Sequence, residues 1–183
     1  MRRTSAIVAV LGAAMLVSTV HATVVVPTSL TEMSRDAVAI ARGRVASVTG
    51  RWTDDRKTIE TIVALEVDGY LKGSLGSTLQ FRVPGGHLGR FRSVVVGAPD
   101  FAVDDRVVVF LGASGPMVPF VLGFNQGVYR LALNAGGTQW LVTPPPILPG
   151  TAAGPIQRGD SSRRPLPLQD FEREVRALAG GLR

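Results

Sequence analysis

Thr58-Ile59-Glu60-Thr61-Ile62-Val63-Ala64-Leu65-Glu66-Val67 carries the clearest strand pattern in the chain. Ile59, Thr61, Val63, Leu65 and Val67 alternate with Glu60, Ile62, Ala64, Glu66 and Asp68. A period of two turns one set toward a core and leaves the other largely wet, which predicts a half-buried β-strand over 58–67. Asp54-Asp55-Arg56-Lys57 supplies the turn before it, and Leu71-Lys72-Gly73-Ser74 closes it.

Working outward, the pattern stays β. Upstream, Val38 and Ile40 are out of phase with Val45, and Gly43 lies between them. A glycine at a phase change predicts a bulge or bend in one long strand over about 37–50. Ser29-Leu30-Thr31-Glu32 before it is a capping box, predicting a short helix over 30–36. Downstream, Leu79, Phe81 and Val83 alternate up to Pro84-Gly85-Gly86, predicting a third strand. Further strands are expected over 91–96, 107–111, 117–122, 128–133 and 139–142. The run Val107 to Leu111 is continuously apolar, as in a strand buried on both faces. Short strands with glycine turns predict a mainly β fold, an antiparallel barrel or small sandwich.

The two ends differ from this body. Arg2 and Arg3 precede an uncharged apolar run from Ala6 to Val20, and Val20-His21-Ala22 offers small residues at a cleavage site. That is the layout of an export signal, so 1–22 is expected to be removed and the mature chain to begin at Thr23. The alternative is a retained anchor using Ala6 to Val26, since a span needs roughly 20 apolar residues. Residues 23–143 then form the β-barrel domain. Pro144 to Pro167 is rich in Pro, Gly, Ser and Arg and lacks apolar periodicity, so it reads as a linker. Leu168, Phe171, Val175 and Leu178 share one helical face, predicting a C-terminal helix over 168–183. Its early acids and late Arg176 suit the helix dipole.

Composition narrows the function classes. The chain has 183 residues and a formal charge of +6. Loss of Arg2 and Arg3 takes the 20 Lys and Arg to 18 against 14 Asp and Glu, leaving +4. There is no cysteine, which excludes disulfides, thiol nucleophiles and cysteine-based zinc sites. Arginines are scattered rather than clustered, so nucleic acid is not the expected partner.

No catalytic constellation stands out, and no cofactor is expected. His87 is the single histidine of the mature chain, within Gly85-Gly86-His87-Leu88-Gly89. That glycine segment lacks the lysine and hydroxyl residue of a phosphate-binding P-loop and reads as a sharp turn. Asp54-Asp55, Asp100 and Asp104-Asp105 read as solvated turn carboxylates rather than a catalytic pair. No serine lies in a nucleophile elbow. Most aromatic residues read as core, and Trp52, beside Arg51 at a polar turn, is the exception. Trp52, Arg82, His87 and Arg92 are therefore the residues singled out as a ligand or partner surface.

The ordered motifs Ala37, Gly43, Val45, Thr61, Val67, Leu71-Lys72-Gly73, Pro84-Gly85-Gly86, Phe110-Leu111 and Gly123-Phe124-Asn125-Gln126-Gly127 carry a resemblance. The chain from Thr28 to about Leu133 resembles a family of uncharacterised exported bacterial proteins. Its long bent first strand and Leu-Lys-Gly turn are also similar to the OB-fold-like barrel of tissue inhibitors of metalloproteinases and netrin modules. Those inhibitors use an N-terminal cysteine and disulfides, so zinc-chelating inhibition does not carry over. The resemblance implies an OB-like barrel and leaves function to the site. The leading expectation is a periplasmic or secreted, non-enzymatic module that binds or supports another extracytoplasmic protein. A ligand-binding domain for a glycan or other anion is the alternative, and a hydrolase joining His87 to Asp100 or Asp105 the third. Surface aromatic exposure separates the first two: a stripe of exposed aromatic residues beside Arg82 and Arg92 favours the ligand-binding domain.

Overall fold

The computed structural model describes residues 28–115, 117–145 and 164–180. The expected export signal and most of the expected linker lie outside them. A helix over Leu30–Asp36 opens the described chain, and both reciprocal bonds of its capping box form. Ten strands follow: β1 (Ala39–Trp52), β2 (Ile59–Lys72), β3 (Thr78–Pro84), β4 (Gly86–Leu88) and β5 (Phe91–Ser93) in the first half. The second half holds β6 (Arg106–Gly112), β7 (Phe120–Val121), β8 (Val128–Leu133), β9 (Trp140–Thr143) and β10 (Leu166–Pro167), then the C-terminal helix Leu168–Gly180.

β1, β2, β3, β7 and β6 pair in that order, and β6 pairs back onto β1 to close a five-stranded barrel. β8, β9 and β10 continue the sheet from β6, while β4 and β5 form a separate hairpin. The expected purely antiparallel sheet is corrected: β3 and β7 run parallel, through Arg82 and Phe120. The reason is geometric, because an odd number of strands cannot alternate in direction around a closed circuit. β7 is also far shorter than the expected strand over 117–122. Pro119 has no amide to donate, and its carbonyl instead accepts the Arg82 N–H at 2.8 Å.

The bend in β1 is where the phase change placed it. Its register against β2 slips between Arg42 and Gly43. A Cβ on Gly43 would lie 2.1 Å from the Glu66 carbonyl oxygen, so only glycine lets the strands meet there. The barrel interior holds Val45, Val63, Leu65, Phe81, Val107 and Val109. A second core lies outside it, where Ile40, Val108, Phe110 and Tyr129 meet Phe171 and Val175 of the C-terminal helix. β6 is buried on both faces because it separates these two cores, and this accounts for its unbroken apolar run.

The C-terminal part joins both the sheet and the second core. Leu166-Pro167, at the end of the expected linker, pairs with Val142 and Leu141 of β9. Phe171 and Val175 are fully buried, and the Arg42 guanidinium donates to Glu172 at 2.6 Å. Each buried apolar side chain of this kind contributes about 1.5–3 kcal/mol. No described helix is long and apolar enough to cross a membrane.

Candidate binding surface

The Pro84-Gly85-Gly86 corner reverses β3 into the β4–β5 hairpin and fixes it to the barrel. Gly85 and Gly86 have φ of 85° and 136°, conformations glycine adopts readily. The Gly85 N–H donates to the Ile59 carbonyl at 3.0 Å, and the Thr61 hydroxyl donates to the Gly85 carbonyl at 2.7 Å. Gly50 of β1 lies directly under the hairpin: a Cβ there would be 1.9 Å from the His87 carbonyl oxygen. His87 and Arg92 face each other across the two strands.

This anchoring brings Trp52, at the end of β1, against Phe91 of β5, with ring centroids 5.5 Å apart and planes at 60°. Trp52 is 39% and Phe91 47% exposed. The Arg90 guanidinium lies over Phe91 at 5.1 Å from the ring centre, a cation–π placement. Val94, 70% exposed, and Val96 extend the apolar surface beyond β5. The expected strand over 91–96 stops at Ser93, which leaves these valines outside any ladder.

A cleft of about 640 Å³ adjoins the pair, with His87, Arg92, Ser93 and Asp100 on its rim and Val48 and Phe101 among its apolar lining. Trp52, His87 and Arg92 thus come to one pole of the barrel. Arg82 does not join them. It lines a second groove of about 470 Å³ with Phe120 and Phe124, and Pro84, Gly85 and Val95 border both spaces.

Charge at this pole is unlike the rest of the barrel. Arg44 meets Glu66 and Asp104, Arg106 meets Asp68, and Arg130 meets Asp105. At this pole Arg90 and Arg92 have no carboxylate partner among the described residues, and neither does Arg82 in the second groove. The nearby Glu60 is already neutralised. It is 7% exposed, contrary to the wet face expected of it, and accepts the Arg51 Nε–H at 2.8 Å, with Nη2 of the same guanidinium 2.7 Å from that oxygen. Burial of this carboxylate follows from pairing, since an isolated buried charge is costly.

The candidate catalytic groups do not form a linked set. His87 and Asp100 share the cleft, yet no hydrogen bond joins His87, Ser93 or Asp100 to one another. A nucleophile, base and orienting group need contacts of about 2.6–3.2 Å. Asp100 accepts the Phe101 N–H at 3.1 Å. Asp105 is held by Arg130 and by the Ala102 amide, away from His87's cleft. Asp55 behaves as a turn carboxylate: the Thr53 hydroxyl and Lys57 amide donate to it and hold its pKa below the usual value.

Phe91, which the sequence reads as core with most other aromatic residues, is instead a surface residue. The available signal was that Phe91 sits between Arg90 and Arg92, an unfavourable context for a buried ring. No protein-family model, no curated protein and no solved structure matches the chain.

Proposed function

We propose that this chain is an exported, non-enzymatic binding module built on an OB-like barrel. Its basic, aromatic pole holds an acidic segment of another extracytoplasmic protein, in the periplasm or outside the cell. The barrel order β1-β2-β3-β7-β6 with its bent first strand supports the OB-like reading. The single observation that carries the binding reading is the exposed Trp52–Phe91 pair beside Arg90 and Arg92, cations that no described carboxylate satisfies. Trp and Arg dominate the energetic centres of protein interfaces, and exposed apolar patches with a polar rim mark such sites.

A glycan or small anion is the second reading, favoured by the exposed Trp52 and Phe91 rings beside Arg92 and by the adjacency of His87 and Arg92 on one cleft, though Arg82 stands apart from them. The 60° angle between Trp52 and Phe91 favours protein side chains over a flat sugar platform.

The test begins with chemical cross-linking of the exported protein in its own compartment, followed by affinity measurement with the purified partner. Trp52→Ala/Phe91→Ala should weaken binding at least ~30-fold, since interface anchors contribute about 2 kcal/mol or more each. Arg90→Gln/Arg92→Gln should weaken it and flatten its salt dependence. Full affinity in both variants would refute the assignment, and competition by a sulfated oligosaccharide at the same residues would favour the glycan.

A further inference from the structure

The groove around Arg82 is a separate binding site, and the geometry points to a small organic carboxylic acid with a compact apolar body as its ligand. Its walls are apolar: Ile59 and Val121 are buried beneath it, and Phe120, Phe124 and Pro84 line it. Its volume of about 470 Å³ falls within the range of small-molecule sites. Among the described residues two charged groups line it, and only one is available. Glu60 is occupied by Arg51, as above. Arg82 is half-buried, lies over the Phe120 ring at 5.9 Å from its centre, and has no carboxylate partner among the described residues.

Both features call for the same ligand. A half-buried guanidinium offers a planar fork of donors that matches a carboxylate in two parallel bonds. The aromatic and proline walls reward a ring or short branched chain attached to it. The backbone shaping the groove is also held in conformations costly to most residues. Gly123 and Phe124 are consecutive left-handed residues, φ 61° and 57°, and only the first is glycine. A non-glycine residue in that region is retained where the surroundings over-determine it, and such positions concentrate at ligand sites.

The probe is 2-naphthoate, with 2-naphthalenemethanol as its neutral counterpart, titrated into the mature chain by calorimetry and by amide-shift mapping. Naphthoate is expected to bind at micromolar to millimolar concentration and to shift Gly85, Phe120, Gly123 and Phe124. Arg82→Gln should weaken it at least tenfold, and Arg82→Lys should recover only part. The alcohol should bind at least tenfold more weakly than the acid and be indifferent to Arg82→Gln. Trp52→Ala/Phe91→Ala should leave naphthoate binding unchanged, which keeps this result distinct from the fate of the protein-binding surface. Equal binding by Arg82→Gln, equal binding of the alcohol, or shifts confined to the β4–β5 hairpin would each overturn the proposal. So would binding that appears only after removal of residues 23–27, because the groove would then be filled by the chain itself.

Discussion

Gly86→Ala tests whether the β4–β5 hairpin, and with it the binding pole, hangs on one glycine corner. Gly86 has φ 136°, and a Cβ there would sit 2.2 Å from the Thr61 hydroxyl oxygen. That contact is too close to survive, so the Thr61 side chain must rotate. Rotation breaks the 2.7 Å bond it donates to the Gly85 carbonyl. The positive φ costs about 1–2 kcal/mol for a residue with a Cβ. The lost hydrogen bond adds about 0.5–1.5 kcal/mol. Reduced freedom of the unfolded chain offsets about 0.4–1 kcal/mol. The expected net destabilisation is about 0.5–3 kcal/mol, a fall in Tm of roughly 1–12 °C for a chain of this size. Urea unfolding followed by far-ultraviolet circular dichroism measures it. His87→Ala, one residue away with an exposed side chain, is the control and should stay within about 0.5 kcal/mol of wild type. Thr61→Ala should cost less in the Gly86→Ala background than alone, because clash and hydrogen bond share one hydroxyl. A Gly86→Ala protein as stable as His87→Ala, or strict additivity with Thr61→Ala, would show that the corner does not depend on Gly86 and the Thr61 hydroxyl.

Phe171→Ala should destabilise by about 3–5 kcal/mol, measured by the same unfolding curves, because the ring is buried 4.7 Å from that of Tyr129 in the second core. Burial, with a smaller effect of the Glu174 charge, pushes the Tyr129 phenol from its ordinary 10 up to about 12. The neutral phenol's contribution is therefore intact below pH 10 and is lost as the pH rises from 10 through 12. Between pH 9.5 and 12 wild type should lose at most about 3 kcal/mol more than Tyr129→Phe, and equal losses would contradict the assignment. N-terminal sequencing of the exported protein should read Thr23-Val24-Val25, whereas an intact Met1 in a membrane fraction would establish the anchor.

The features legible from residue order alone are local. The capping box over Ser29–Glu32 set the first helix because both of its bonds span three residues. The alternation around Val63 identified β2, and the phase change at Gly43 located the bend in β1, because backbone geometry alone sets a strand's period. The apolar run Val107 to Leu111 announced double burial without saying what would cover each face. That answer is tertiary: the barrel interior on one side, and on the other a helix more than fifty residues further along. The parallel β3–β7 contact was likewise invisible, since it follows from closing five strands into a ring and not from any residue in either strand. The candidate surface divides the same way. Trp52 beside a polar turn was legible as exposed. The exposure of Phe91, the burial of Glu60 by Arg51 and the separation of Arg82 from Arg92 depended on how the Pro84-Gly85-Gly86 corner folds back over Gly50. Periodicity carries which way a side chain leaves its own strand; only chain packing decides what waits on that side.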